Sequence, residues 1–464
     1  MCGILVVKHK YTIPTQKLVE TLDLLHTRGK DLSVYSHKNN IFLGQSVLNF
    51  TGSLQFYHTL IERGFAFNGE IYDYSQKFKN DSDQVFELVQ KQQWNELHNL
   101  VGPKSWIFNN AGDIYYGTDW QHEKVLWHYQ DEEIFILSST ITAILNLVNV
   151  DKQSFCTDTK HINWLNKTFY KNINRVKPGV VYKNGCKLYS KTIYDIKNTI
   201  TTFSGTFTEA VDELDFLLEK SCKRIATHDL TLFYSGGIDS GLIGAYIPQA
   251  HFIGLDIADR DSISHNSGAD QKITCTLEQW SEHFKKICKQ LSIPPLSWSW
   301  VGYSILCSVT QNKIVVSGTG ADELFAGYPY HLESIESPYS KSFPTDWFCT
   351  DDYVHQSGGT DLLGMDQVSG MYNMESRSPF ADSDIIKFAM SLPYEFVVQK
   401  QIKTIFRKLW EKKFMKPYPY PKIGFVGYCN DAIPIINKNY KQNLTNRNQE
   451  WKNFVIWNFN DYNS

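Results

Sequence analysis

The sequence predicts a two-part chain: an α+β front of stacked strand layers flanked by helices, then an α/β rear on a parallel sheet. Three observations carry this reading. Residues 1 to about 185 hold short apolar segments of strand length with few long helical patterns. From about 206, apolar strands alternate with amphipathic helices, the grammar of a parallel sheet with helical crossovers. Between them, residues 186–206 are rich in Lys and Thr and include Ser204-Gly205, which suits a linker. The expected division is a front domain over 2–185, a linker over 186–206, a rear domain over 207–438 and a tail over 439–464 with no assigned role.

A chain of 464 residues has room for two or three domains. Hydrophobic content of 42% and charged content of 20% allow large cores. With 46 basic against 49 acidic residues the net charge is −3, so nucleic acid is not an expected partner. Nine cysteines, at 2, 156, 186, 222, 275, 288, 307, 349 and 429, stand singly, with no CxxC pair and no dense disulfide framework. No apolar run approaches the roughly 18 residues of a membrane span. The N-terminus lacks the basic and apolar blocks of a signal peptide. The cytoplasm is therefore the expected compartment, with no membrane partner.

In the front, strands are expected at 4–7, 41–43, 64–67, 105–108, 114–116 and 133–137. Helical spacing covers 18–25 and 83–90, the second after Asp81 and Ser82 as N-cap candidates. In the rear, 208–224 is amphipathic, with Ala210, Val211, Leu214, Leu217 and Leu218 on one face. A strand over 230–234 runs into glycines and a helix beginning near Gly241. A strand over 250–256, a helix over 277–291 and a strand over 313–317 follow. Beyond 330 the pattern is helical and loop-rich, and no internal repeat is present.

Chemistry concentrates at a few motifs. Once Met1 is removed, Cys2 carries a thiol and a free α-amine, a nucleophile beside its own base. That amine has a reference pKa of about 7.7–8, so part of it is neutral and can accept the thiol proton. A thiolate attacking an amide creates an oxyanion that needs fixed donors. Asn68 and Gly69, in Phe67-Asn68-Gly69-Glu70, offer a side-chain NH₂ and a main-chain N–H at one turn. Taken alone, Asn-Gly is also the strongest short hairpin signal. Arg28 and Gly29, in Thr27-Arg28-Gly29-Lys30-Asp31, end the first helix.

In the rear, Tyr234-Ser235-Gly236-Gly237-Ile238-Asp239-Ser240 joins a strand to a helix. Its glycines, hydroxyls and helix N-terminus form a nest of donors suited to phosphate. Asp239 would repel phosphate without a divalent cation between them, which implies Mg²⁺. The loop is not a Walker A sequence, because no GxxxxGK occurs. A second loop, Ser317-Gly318-Thr319-Gly320-Ala321-Asp322-Glu323, follows another apolar strand; Glu323 stands where a dinucleotide fingerprint needs glycine. A third segment reads Glu375-Ser376-Arg377-Ser378-Pro379-Phe380-Ala381-Asp382, preceded by Asp366 and Ser369. Lys403 and Arg407 lie one helical turn apart, and Lys422 opens Lys422-Ile423-Gly424-Phe425. Lysines near phosphate would neutralise the leaving pyrophosphate. Solvated surface lysines are the competing reading.

Taken together, MCGI, the Arg28-Gly29 turn and NGE resemble class II glutamine amidotransferases, whose αββα sandwich is of the N-terminal-nucleophile hydrolase kind. The rear loops resemble the ATP-pyrophosphatase domain of the asparagine synthetase family, and the likeness spans about residues 1 to 427. The resemblance implies Cys2 as nucleophile and Asn68 and Gly69 as oxyanion hole. It implies Arg28, Asn68, Glu70 and Asp83 around glutamine. It further implies Ser235, Gly236, Gly237, Asp239, Ser240, Leu255, Ser317, Gly318 and Lys403 around ATP and pyrophosphate. Asp239 and Asp322 would share Mg²⁺, and Glu375 and Lys422 would act in catalysis.

Four positions depart from the family pattern. Where an arginine usually holds the glutamine carboxylate, this chain has Val47, in Gln45-Ser46-Val47-Leu48. A lost charge-assisted contact weakens binding by roughly 2–3 kcal/mol. Thr319 replaces an acidic residue of the asparagine-forming enzymes, the polar stretch 259–270 replaces a nucleotide-covering helix, and Thr118 replaces an arginine. Val125-Leu126-Trp127-His128 matches a divergent branch of the family. The implied activity is a glutamine-dependent, ATP-consuming amide ligase, with aspartate as acceptor and a tight, largely apolar interface between the domains. Amidation or amide closure of another carboxylate is one alternative. A regulatory protein on a decayed amidotransferase scaffold is the other. The implied partners are small molecules, with a homodimer as the assembly to test.

Overall fold

The computed structural model describes residues 2–50, 53–121, 123–151, 168–226, 228–258, 268–328, 331–332 and 358–420. Lys422, the KxGF segment, most of the polar stretch 259–270 and the tail 439–464 lie outside them.

The front strands are β1 (Gly3–His9), β2 (Leu32–Lys38), β3 (Ile41–Val47), β4 (Phe65–Gly69), β5 (Lys104–Asn110), β6 (Asp113–Thr118), β7 (Trp127–Gln130), β8 (Ile134–Ser138), β9 (Ile173–Arg175), β10 (Val180–Lys183) and β11 (Cys186–Ser190). They form two antiparallel sheets, ordered β2-β3-β1-β8-β7-β9 and β11-β10-β6-β5-β4. Ile4, Val6, Leu43, Ala66, Ile107 and Tyr116 pack between the sheets. Leu5 and Val7, on the other face of β1, pack with Leu18 and Leu22 of the helix Thr15–Asp23. The helices Asp81–Gln90 and Trp94–Asn99 bring Val85, Phe86 and Leu97 against Phe65, Phe67 and Trp106 outside the second sheet. The result is an αββα sandwich. With apolar neighbours on both faces, β1 reads as a continuous apolar run rather than an alternating one.

The rear strands are β12 (Leu230–Phe233), β13 (His251–Ile257), β14 (Gln271–Cys275), β15 (Ile314–Val316) and β16 (Glu375–Arg377). All pair in parallel, in the order β14-β13-β12-β15-β16. The chain first builds outward from β12 through β13 to β14, then crosses back to place β15 on the other side of β12. That reversal opens a crevice at the carboxyl ends of β12 and β15, where open α/β sheets bind ligands.

Several expectations shift. The division expected at 185 falls inside the β10–β11 hairpin, so the second front sheet runs on to Ser190. Residues Ile193–Lys197 then form a helix with a Thr192–Asp195 capping box. The composition taken for a linker is that of an exposed edge strand and a short surface helix. The cap of Asp81–Gln90 is Asn80, whose side chain accepts from Asp83 N–H, not Asp81 or Ser82. Strands β7 and β9, of four and three residues, are too short to be read locally, and β2 and β14 are edge strands rich in polar residues. The interface has an apolar part, where Trp280, Phe284 and Trp300 join Leu18, Leu25 and Ile144 in one cluster. A second part is ionic. Among the described residues no helix is long and apolar enough to cross a membrane.

Candidate active site

Cys2 immediately precedes β1, which lies between β3 and β8. Its main-chain nitrogen donates to Asn68 Oδ1 at 2.8 Å, and Asn68 Nδ2 donates to Ser105 Oγ at 3.3 Å. An amide NH₂ has a second proton, which leaves a donor for an oxyanion. Gly69 must be glycine: a Cβ there would run into Pro103 O. Gly29 is equally constrained, because its turn crosses β3 against Ser46 and Val47 main chain. The Cys2 thiol is buried, with Sγ 4.0 Å from Leu48 O, and burial pushes its pKa up. A thiolate therefore needs a proton acceptor at hand.

The charged residues beside Cys2 are engaged across the domain interface. Arg28 Nε donates to Cys2 O at 3.3 Å, while its Nη2 lies 3.0 Å from both oxygens of Asp366. The resemblance places Arg28 on glutamine; here its guanidinium is buried against a rear-domain carboxylate. Lys124 Nζ bridges Asp366 at 3.3 Å and Glu375 at 3.0 Å. Burial alone would raise the Glu375 carboxyl, but Lys124 holds it well below the usual range. Arg377 pairs with Glu70, whose pKa burial pushes up to about 7 against that pairing. This ionic chain departs from an interface expected to be largely apolar.

Val47 is fully buried in the apolar cluster that holds Cys2 and Tyr57. Tyr57, from the helix Leu54–Glu62, donates its hydroxyl to Asn49 Oδ1 at 3.3 Å. Asp83 closes its own loop by accepting from Lys79 N–H at 3.2 Å. Asp81 is a buried acid near Glu70 and accepts from Ile71 N–H at 3.1 Å.

At the rear crevice, Gly237 caps the helix Ile238–Tyr246, and Ser235 N–H donates to Ser240 Oγ at 3.2 Å. Gly236 takes a left-handed φ of 70°. The two loops touch, since a Cβ on Gly318 would lie 3.1 Å from Asp239 Cβ. Lys403 Nζ pairs with Asp239 and lies 2.6 Å from Asp322. Gly327 leaves room for this cluster, because a Cβ there would strike Asp322. Thr319 Oγ1 lies 2.8 Å from Ser317 Oγ and 3.2 Å from Tyr303 Oη, and Ser378 Oγ donates to Thr319 O at 2.6 Å. Leu255 is half-buried near the end of β13. Two carboxylates converging on one ammonium suit a divalent cation that takes its other ligands from phosphate and water.

The motif residues thus gather at two sites, Cys2, Asn68, Gly69 and Glu70 in front and Asp239, Ser317, Gly318, Asp322 and Lys403 behind. Sequence reasoning missed Gln45, Tyr57, Asp81 and Lys124 and gave Asp366 no role. Lys124 meets Asp366 and Glu375 from a distant part of the chain, and the partners of Gln45, Tyr57 and Asp81 follow no local motif.

The geometry defines a class, a protein joining an N-terminal-cysteine sandwich to a parallel-sheet domain with phosphate-type loops. The Asparagine synthase family model matches residues 213–356 and 353–416. A Methanocaldococcus jannaschii protein provisionally named asparagine synthetase (glutamine-hydrolysing) 1 is 26% identical over 71% of this chain and 64% of its own length. The Gallus gallus asparagine synthetase (glutamine-hydrolysing) is 23% identical over 47% of this chain and 42% of its own. This chain spans less than two thirds of the length of these relatives. A solved glutamine phosphoribosylpyrophosphate amidotransferase from B. subtilis covers 70% of this chain and 77% of its own at 12% identity and a TM-score of 0.29, which adds nothing to the fold read above. Residues 213–416 thus match the Asparagine synthase family model, and the chain is similar, at low identity, to proteins named glutamine-hydrolysing asparagine synthetases.

Proposed function

We propose that this protein is an ATP-dependent amide ligase that draws ammonia from glutamine and transfers it to a carboxylate, with aspartate the first acceptor to test. The observation that carries the reading is the pair of sites, Cys2 held on Asn68 and Asp239 and Asp322 converging on Lys403. With Met1 removed, the Cys2 amine takes the thiol proton and the thiolate attacks the amide carbon. Gly69 N–H and Asn68 Nδ2 meet the oxyanion, ammonia leaves, and water releases glutamate from the thioester. In the rear, the acceptor carboxylate attacks the α-phosphate of ATP and pyrophosphate departs along the Ser235–Ser240 loop. Ammonia then displaces AMP from the acyl-adenylate. A Mg²⁺ ion held by Asp239 and Asp322 would offset the phosphate charge, and Lys403 would neutralise the departing pyrophosphate. Lys422 and Glu375 are the further catalytic candidates.

Ammonia release from glutamine and AMP formation with aspartate and other acids test this. Cys2→Ala should abolish the first and leave AMP formation with ammonium chloride intact. No AMP above background with any acid would sink the ligase reading.

A second reading has its own observation. Val47 is apolar and Arg28 is bound to Asp366, so neither supplies a cation to a glutamine carboxylate. Free ammonia is then the better nitrogen source. Val47→Arg should lower the KM for glutamine about tenfold, the effect of roughly 1.4 kcal/mol. An unchanged KM would reject it.

A further inference from the structure

We infer that Gln45 is a positioning residue of the Cys2 site: its side-chain amide clips the open edge of β4 to the strand beside the nucleophile and so sets Asn68 against Cys2. The inference rests on the reading of Cys2 as nucleophile.

Among the described residues, β4 is the last strand of the second sheet and pairs only with β5. Main-chain bonds between these strands fall on alternate residues: Asn109 N–H donates to Gly64 O at 2.8 Å and Glu70 N–H to Pro103 O at 2.9 Å. That alternation turns the N–H and C=O of Phe67 away from β5. Buried main-chain groups with no partner are costly. Gln45 meets both: Phe67 N–H donates to Gln45 Oε1 at 3.2 Å, and Gln45 Nε2 donates to Phe67 O at 2.9 Å. One side chain from the first sheet thus acts as a strand partner for one residue of the second.

The location gives the clip its consequence. Gln45 sits opposite Ile4 in the β1–β3 register, two residues from Cys2. Phe67 directly precedes Asn68, whose Oδ1 holds Cys2 nitrogen at 2.8 Å. A closed ring results, running Cys2, Ile4, Gln45, Phe67, Asn68 and back to Cys2. Gln45 is itself only 1% exposed, and its amide also reaches the Cys2 thiol. Without the clip, the oxyanion residues would hang at the end of an edge strand held from one side. A shift on the order of 1 Å in such a group can cost about 10²-fold in rate.

Gln45→Met keeps the length and loses both bonds, while Gln45→Glu keeps an acceptor for Phe67 N–H and loses the donor. In the full-length chain, Gln45→Met should lower kcat for glutamine hydrolysis about 10²-fold with KM moved less than threefold. Gln45→Glu should fall between it and the parent. The pH profile of Cys2 alkylation by iodoacetamide should move to higher pH in both. Near-ultraviolet circular dichroism checks that each variant is folded. A folded Gln45→Met variant with kcat within threefold of the parent overturns the inference, as does a loss of kcat that only follows the folded fraction. If the parent releases no ammonia from glutamine, the amidotransferase reading fails, and the alkylation profile decides the clip by itself: unchanged profiles overturn it.

Discussion

The front and rear sites are built on opposite principles. Around Cys2, hydrogen bonds between strands of the two front sheets fix the geometry, from Cys2 nitrogen to Asn68 and between Gln45 and Phe67. The charges nearby are committed to the interface, Arg28 and Lys124 on Asp366 and Arg377 on Glu70. In the rear crevice, two carboxylates from the first turns of helices that follow different strands meet over the ammonium of Lys403. The front holds atoms in place before substrate arrives. The rear holds a charge balance that an incoming cation and phosphate would redraw. A site made of strand bonds tolerates little displacement, whereas one made of ion pairs can exchange partners.

Changes in single residues should separate the two. Asp322→Asn is expected to cut AMP formation about 10²–10³-fold, in the range of a lost transition-state contact, and to leave glutamine hydrolysis within twofold. Equal losses in both assays would mean that the sites are not built independently. Asp366→Asn addresses the element they share. It leaves Arg28 and Lys124 buried without their full counter-charge, and breaking such a pair costs about 3 kcal/mol. A lower urea midpoint and a parallel loss of both activities are expected; an unmoved midpoint would show that the ionic chain does not hold the interface.

The smallest effect concerns Glu70. Burial raises its pKa to about 7, so it is largely protonated at pH 6 and ionised at pH 8. A substrate ammonium needs the ionised form, so the KM for glutamine should fall about tenfold over that interval. Glu70→Gln should remove the slope in KM and keep the slope in kcat that the Cys2 amine imposes. A flat KM in the parent would take Glu70 out of substrate binding.

Legibility in the sequence followed the range of the interaction. The helix 277–291 was read to its ends because its apolar spacing and its Thr276–Gln279 capping box are local. The strand over 230–234 and its glycine loop were legible for the same reason, since a βα turn is written in consecutive residues. Edge strands β2, β11 and β14 were not, because exposed strands carry polar residues that read as loop. Arg28 was assigned to glutamine because its motif is local, while its partner Asp366 lies 338 residues away. Gln45 drew notice only as the flank of Val47, since nothing in a lone glutamine says that its amide will complete the edge of another sheet.

By itself the sequence determined the order of chemistry along the chain: an N-terminal thiol, an Asn-Gly donor pair, and two glycine-bearing loops after apolar strands. These follow from residue type and short spacing, which chain geometry alone converts into turns, strands and caps. The tertiary structure decided where each charge ends. It placed Arg28 and Lys124 on Asp366, Lys403 between Asp239 and Asp322, and the Gln45 amide on Phe67. The reason is physical: a buried charge or amide must find a partner, and burial brings together residues that the sequence keeps far apart.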